Sequence, residues 1–292
     1  MIVVTTPTGK IGSKVVKNLL AVGEAVRVIV RDPARLAPEV RAKVDVVQGS
    51  CDDETVVSRA LEGAESLSWV VPPSFATNDA REYNLQFTRP ACRAIKSRGV
   101  KRVVTVSGVG RGVAVDAGPV SALFVKDAEI ESTGVDFRAL WCPGFMENML
   151  MQLSALKHQG MFFLPSRPDV KLPQVATRDI AASGAKLLID RSWTGQGGLA
   201  VLGPEDLSFD DMAAIMTDVL GKPIRFQSIP GEAYKAQLMK FGASEHFAQS
   251  LVDMHAAKDN GLDKTVPRTP KNTTPTTFRQ WCQEVLKPAF LS

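Results

Sequence analysis

The sequence predicts an α/β fold, a doubly wound parallel sheet followed by a smaller, mostly helical C-terminal part. Two observations predict it. Over residues 1–142, short β-branched apolar runs alternate with longer amphipathic segments, the change of period expected of repeated βα units. After Pro143 and Gly144 that rhythm breaks into a Met-rich segment, an extended proline-containing stretch and a series of short helices.

Six strands are predicted in the first part, over 2–5, 25–31, 44–48, 66–71, 102–106 and 136–141. Most are continuous apolar runs, as strands covered on both faces should be. A helix over 10–21 carries Ile11, Val15, Val16, Leu19 and Leu20 at helical spacing and ends at Gly23; one over 53–61 opens with acidic residues and stops before Gly63. The long helix over 78–98 ends at Gly99 with Lys96 and Arg98 in its last turn, where cations suit the negative end of the helix dipole. Beyond the break, 145–156 reads as helical and 160–173 as extended with three prolines. A helix over 177–190 is expected to be capped by Thr177, a strand to cover 199–202, and a helix over 208–220 to open on Ser208 with Asp211 in the capping-box position. Short helices over 232–241 and 244–258, a polar loop over 267–275 and a last amphipathic helix over 276–286 complete the chain.

With 292 residues, 45% hydrophobic and 23% charged, the composition is that of a globular protein, neither disordered nor fibrous. Lys+Arg 35 against Asp+Glu 31 leaves +4 with no dense basic block, so no nucleic-acid partner is expected. Cys51, Cys92, Cys142 and Cys282 are far apart and form no CxxC pair, which predicts neither a metal site nor a disulfide framework and suits a reducing cytoplasm. No apolar run approaches the ~18 residues of a membrane span, and no charged segment precedes a hydrophobic one at the start, so neither membrane insertion nor export is expected. A monomer or homodimer is expected.

The run Thr5-Thr6-Pro7-Thr8-Gly9-Lys10-Ile11-Gly12 lies between the first strand and the first helix, where a dinucleotide pyrophosphate meets the amides of a helix N-terminus. Gly9 would let the backbone approach the phosphates and Gly12 would let helix pack on strand, while Thr6 replaces the first glycine of the usual fingerprint. The predicted fold is therefore Rossmann-type. Residues 1–142, with 174–203 returning to them, form the dinucleotide-binding domain; 143–173 and 204–292 form the substrate domain. Thr6, Thr8, Gly9, Lys10, Ile11 and Gly12 are the pyrophosphate candidates. Arg31 and Asp32 stand 19 and 20 residues after Gly12, where an arginine binds an NADP 2′-phosphate and an acid binds an NAD ribose. Arg31 favours NADP(H), with NAD(H) possible; a surface ion pair between Arg31 and Asp32 is the structural alternative. Asp52 or Asp53 would sit by the adenine or merely begin a helix. Pro72 and Pro73 could pack against the adenosine half.

The run Val4-Thr5-Thr6-Pro7-Thr8-Gly9-Lys10-Ile11-Gly12 resembles the Val-Thr-Gly-Ala-Thr-Gly-x-x-Gly of NmrA-like, atypical short-chain dehydrogenases. Val30-Arg31-Asp32-Pro33 is similar to that family's second-strand tip, Gly49-Ser50-Cys51-Asp52-Asp53 to its turn after the third strand, and Val71-Pro72-Pro73 to its fourth-strand loop. Val106-Ser107-Gly108, Thr133-Gly134-Val135-Asp136-Phe137, Pro143-Gly144-Phe145-Met146-Glu147-Asn148 and Val175-Ala176-Thr177-Arg178-Asp179-Ile180-Ala181 extend the likeness, and Gly203-Pro204-Glu205 through Leu220-Gly221-Lys222 completes it over nearly the whole chain.

The resemblance implies that Pro143, Gly144 and Phe145 lie near the nicotinamide. Short-chain dehydrogenases generally use a Tyr-x-x-x-Lys pair on the helix before the sixth strand, the lysine lowering the phenol's pKa. Here counting back from Thr133-Gly134 puts Leu123 and Asp127 at those places, and neither Tyr83 nor Tyr234 has a lysine four residues on. His158, His246 and His255 all fall after the first domain. Ser107, at the end of the fifth strand, and Lys126, one position from the usual lysine, are the remaining catalytic candidates, although one residue turns a side chain by ~100° around a helix. Ser107 could equally satisfy loop backbone. Met146, Met149 and Phe162, with Phe145, Met151, Met161 and Phe163, would form either an adaptable apolar wall for a flat aromatic substrate or ordinary core. The reading is an NADP(H)-dependent oxidoreductase passing hydride to an electrophilic aromatic molecule of quinone, azo or triarylmethane type, which needs little help from a positioned acid. An NADP(H)-sensing regulator without turnover and a biosynthetic reductase, isomerase or cyclase are the alternatives.

Overall fold

The computed structural model describes residues 1–113 and 116–292. Its first half alternates strand and helix: β1 (Ile2–Val4), α1 (Gly12–Ala21), β2 (Val26–Val30), α2 (Pro38–Arg41), β3 (Asp45–Gln48), α3 (Glu54–Ala60), β4 (Ser66–Trp69), α4 (Ala80–Arg98), β5 (Arg102–Gly108), α5 (Pro119–Glu131) and β6 (Asp136–Cys142). The second half holds β7 (Gly144–Phe145), α6 (Leu153–Gln159), β8 (Met161–Leu164), β9 (Leu172–Val175), α7 (Thr177–Ile189), β10 (Gln196–Ala200), β11 (Asp206–Leu207), α8 (Phe209–Leu220), β12 (Arg225–Ser228), α9 (Gly231–Lys240), α10 (Glu245–Asp259), α11 (Phe278–Trp281) and α12 (Lys287–Leu291). No helix among the described residues is long and apolar enough to cross a membrane.

Seven strands pair in the order β10-β6-β5-β4-β1-β2-β3, every pairing parallel. Successive side chains of a strand face opposite ways. Val3 accordingly joins Ile29, Leu67, Val103 and Phe137 in the core beneath α3, α4 and α5, whereas Ile2 and Val4 join Val28, Val104 and Leu140 beneath α1 and α7. Two-sided burial of such apolar side chains is worth roughly 1.5–3 kcal/mol apiece and is why these positions are apolar. The chain leaves β1 toward β2 and β3 on one side and toward β4, β5 and β6 on the other, so the strand order reverses between β1 and β4. A crevice opens there beyond the C-terminal strand ends.

The second half differs from expectation in detail. The stretch read as plain extended chain contains β8 and β9, which build two small sheets with partners far along the sequence: β11-β9-β7 and β12-β8. The segment read as one helix over 145–156 is a strand, then a 3-10 turn over Met146–Gln152, then α6. Thr177 does not cap α7. It is the first helical residue, and its N–H and hydroxyl both donate to the buried Glu147 carboxylate, at 2.9 and 2.5 Å. The Ser208–Asp211 capping box is present as expected, and Ser244 caps α10.

Among the buried titratable groups of this half is a histidine. His255 on α10 shares a 2.7 Å hydrogen bond between Nδ1 and Ser166 Oγ, and burial first, then Lys258, pulls its pKa down from 6.5 to about 4. Between those values the unfolded chain binds a proton that the folded chain refuses, so stability falls as the pH drops through this window. Denaturant titrations should show a loss of roughly 1.5 kcal/mol from this group between pH 6.5 and pH 5, which His255→Gln removes. An unchanged slope in that variant contradicts the assignment.

Candidate cofactor and substrate site

The β1–α1 connection forms the floor of the crevice. Thr6 is the one non-glycine residue at positive φ among the described residues, at +50°, a region that costs a β-branched side chain energy. The turn is held in that shape from both sides. The Thr5 hydroxyl donates to Val70 O at 3.0 Å and accepts the Val70 N–H at 2.8 Å, which ties the end of β1 to the tip of β4. Thr6 O accepts the Gly9 N–H at 2.9 Å, and Gly9 O accepts the Ser13 hydroxyl at 2.7 Å. A Cβ on Gly12 would stand 2.3 Å from Thr6 O, and one on Gly9 3.2 Å from it. Both glycines therefore keep the loop tight against the helix start. Helix α1 has no side-chain cap and no acidic residue in its first turn, so its positive end is uncompensated by the chain itself. Thr8 and Lys10 are exposed beside it.

The segment after β6 comes to the same place. Lys10 Nζ donates to Glu147 O at 3.3 Å, and Ile11 and Phe145 pack against one hydrophobic cluster. Pro143 is buried, and Gly144 lies so close to Gln174 that a Cβ would meet its Oε1 at 2.7 Å.

At the other end of the crevice, Arg31 follows β2 and is exposed, with no side-chain hydrogen bond or ion pair among the described residues. Asp32 is not its partner: that carboxylate accepts the Ala34 N–H at 3.0 Å. Asp52 and Asp53 separate in the same manner. Asp53 caps α3 by accepting the Thr55 and Val56 N–H groups, while Asp52 is exposed and stays clear of that cap. Two residues that sequence reasoning left out of this site join them. Burial, then Asp52, pushes the Cys51 thiol up to about 12, against the Thr6 amide and Arg31, which lower it. The Tyr83 phenol is likewise raised by burial and then Asp52, with Arg31 opposing. Cys51 lies inside the turn from Gly49 to Asp53, the one available signal for it; Tyr83 has none, because its position depends on how α4 packs.

The predicted catalytic and substrate residues distribute unevenly. Ser107 sits at the C-terminal end of β5, 2% exposed, and its Oγ has no partner. Lys126 is no cleft residue: at 1% exposure it donates to Asp127 Oδ1 at 2.6 Å and to Val106 O at 3.3 Å, and Asp127 also accepts the Thr105 hydroxyl. Its charge is consumed by a buried ion pair between α5 and β5. Met146, Met149 and Phe162 are buried with Phe209, Met212, Met216 and Trp281 in the core of the second half, which corrects the apolar-wall reading in favour of packing. The open space lies elsewhere. A cleft of about 160 Å³ is lined by Val71, Pro72, Pro73, Tyr83, Leu123 and Phe247 among others, so Leu123, at the place of the usual tyrosine, faces it. A larger hollow of about 410 Å³, at Arg27, Asp45, Arg59 and Glu62, lies at the opposite end of the strands and has no part in this site.

Sheet, switch point and glycine-tightened loop define a Rossmann-type dinucleotide-binding protein. The chain belongs to the NmrA-like family, which matches residues 1–282. It is 28% identical over 276 residues to an NAD(P)H azoreductase of Xenophilus azovorans, covering 92% of each chain. Its structure is similar to that of the NADPH-dependent quinone oxidoreductase of Escherichia coli complexed with NADPH, with a TM-score of 0.81 at 23% identity, covering 98% of this chain and 99% of that one. A triphenylmethane reductase of Citrobacter sp. complexed with NADP(H) gives 0.79 at 18% identity, covering 96% of this chain and 98% of that one.

Proposed function

We propose that the protein is an NADP(H)-dependent oxidoreductase that reduces an electrophilic aromatic small molecule of quinone, azo or triarylmethane type. The observation that carries this reading is a cofactor cradle kept intact beside a cleft from which the usual proton donor is gone. The Gly12 cradle fits the cofactor, since the space a Cβ would fill is the space the tight loop needs. When bound, NADPH supplies the hydride.

In this reading the free N–H groups of Thr8, Lys10, Ile11 and Gly12 hold the pyrophosphate, with Thr6 and Gly9 shaping the turn and the Thr8 and Lys10 side chains at its edge. Arg31 pairs with the 2′-phosphate, which selects NADP(H) over NAD(H). Asp52, Pro72 and Pro73 flank the adenosine half, while Pro143, Gly144 and Phe145 support the nicotinamide end. Ser107 orients the acceptor. Division of labour follows the chain: residues 1–142 with 174–203 bind the cofactor, and 143–173 with 204–292 shape the substrate side. Leu123 cannot donate a proton and Asp127 is locked to Lys126, so the acceptor must stabilise the incoming electron pair itself or draw its proton from solvent.

Replacement of either remaining tyrosine tests this directly. Tyr83→Phe and Tyr234→Phe are expected to leave kcat within about threefold of the parent in NADPH oxidation with a quinone acceptor. A loss of about a hundredfold or more in either contradicts the absence of a tyrosine acid.

A further inference from the structure

Glu147 carries a buried carboxylate that has no direct part in the proposed reduction. It is 6% exposed, its neighbours Met146 and Met149 are core, and it forms no ion pair among the described residues. Charged side chains are seldom buried unless paired. Here the partner is Thr177, whose N–H donates to Oε2 at 2.9 Å and whose hydroxyl donates to Oε1 at 2.5 Å, at the positive end of α7. The contact also continues a register. Gly144 and Phe145 pair with Gln174 and Val175, and two residues are short for a strand that must keep its alignment. Glu147 and Thr177 stand at the same offset of 30 residues as those pairs, so the carboxylate grips the facing chain just past the last backbone pairing.

The same residue is tied to the cofactor loop. Lys10 Nζ donates to Glu147 O at 3.3 Å, and the half-buried Lys14 donates from Nζ to Lys10 O at 2.7 Å and to Thr177 Oγ1 at 3.2 Å. Burial holds the Lys14 pKa below its usual value, and the Glu147 charge acts against that, favouring the ammonium form that donates both bonds. The start of α1, the segment after β6 and the start of α7 thus close one hydrogen-bonded ring through Lys10, Lys14, Thr177 and Glu147.

We propose that Glu147 is a positioning residue: its carboxylate, clamped on Thr177, presets Pro143, Gly144 and Phe145 as the surface that receives the nicotinamide half of the cofactor. The proposal rests on the reading that places those three residues at the nicotinamide end. Without the clamp the cofactor must order the segment as it binds, and that cost falls on the nicotinamide half alone.

The test is calorimetric titration of the full-length protein with NADPH and with adenosine 2′,5′-bisphosphate, which keeps the 2′-phosphate and lacks the nicotinamide. Glu147→Ala, which removes the clamp, and Thr177→Val, which removes its shorter bond, should each weaken NADPH about tenfold, the cost of ordering one or two side chains, and leave the bisphosphate within about twofold of the parent. Thr177→Ser, which keeps both donors, should hold NADPH within about twofold of the parent. Thr177→Val decides the matter if Glu147→Ala does not fold. Equal losses of both ligands or undiminished NADPH affinity in Thr177→Val, or a loss in Thr177→Ser as large as in Thr177→Val, overturns the proposal. These affinities need no turnover, so a parent that binds NADPH without oxidising it overturns the reductase reading and leaves the comparison decisive, whereas a parent that does not bind NADPH overturns both.

Discussion

Gly12→Val is expected to abolish NADPH binding, with an affinity loss of roughly a thousandfold. A Cβ at residue 12 already meets Thr6 O at 2.3 Å, and valine adds two methyl groups to that clash. The Thr6 turn has no slack to offer. It is pinned through Thr5 to β4 and through Gly9 to the first turn of α1, so the loop as a whole must lift from the helix. Two hydrogen bonds to a charged pyrophosphate, at roughly 1.5–3 kcal/mol each, then disappear, which is the source of the thousandfold figure. The measurement is fluorescence titration with NADPH, accompanied by circular dichroism to establish that the sheet persists. NADPH affinity equal to the parent's would remove the loop from the cofactor site.

The second large effect is a change of preference. Arg31→Ala should weaken NADPH about 10- to 150-fold while NADH moves by less than about threefold, because a charge-assisted bond to phosphate is worth roughly 1.5–3 kcal/mol and NADH has no phosphate there. Asp32 is engaged with Ala34 N–H and Arg31 has no acidic partner among the described residues, so no compensating ion pair is lost with the side chain. The difference should shrink as salt is raised, Arg31 being exposed. Equal losses for both cofactors would assign Arg31 to the surface.

Much of the first half was legible because its physics is local. The run Ile2–Val4 is apolar at every position and Val26–Val30 at all but Arg27, as strands covered on both sides should be, and Gly99 after Lys96 and Arg98 marks a helix end without reference to anything distant. The glycine loop was legible for the same reason. The second half resisted because its determinants are remote in sequence. Gly144–Phe145 becomes a strand only by pairing with Gln174–Val175, and α7 starts where it does because Glu147 receives Thr177. Periodicity places Met146, Met149 and Phe162 on an apolar face but cannot tell a core from a cleft wall, and the structure fills that face with Phe209, Met216 and Trp281. Lys126 misleads in the opposite sense. A lysine on a helix beside an expected catalytic position reads as available, whereas Asp127 and Thr105 bury its charge. Tyr83 and Cys51 are placed by the packing of α4 and by the turn after β3, neither of which their sequence neighbours reveal.

The account stands on a cofactor cradle working without a tyrosine donor. Titration of the purified protein with NADPH and NADH, followed in the same cuvette by a quinone, an azo dye and a triarylmethane dye while nicotinamide absorbance is recorded, tests it most directly. The expected result is tighter binding of NADPH than NADH and oxidation of NADPH by at least one of the three acceptors. Tight NADPH binding with no oxidation by any of them would contradict the reductase and point to a sensor of the dinucleotide, and absence of binding would contradict the cradle itself.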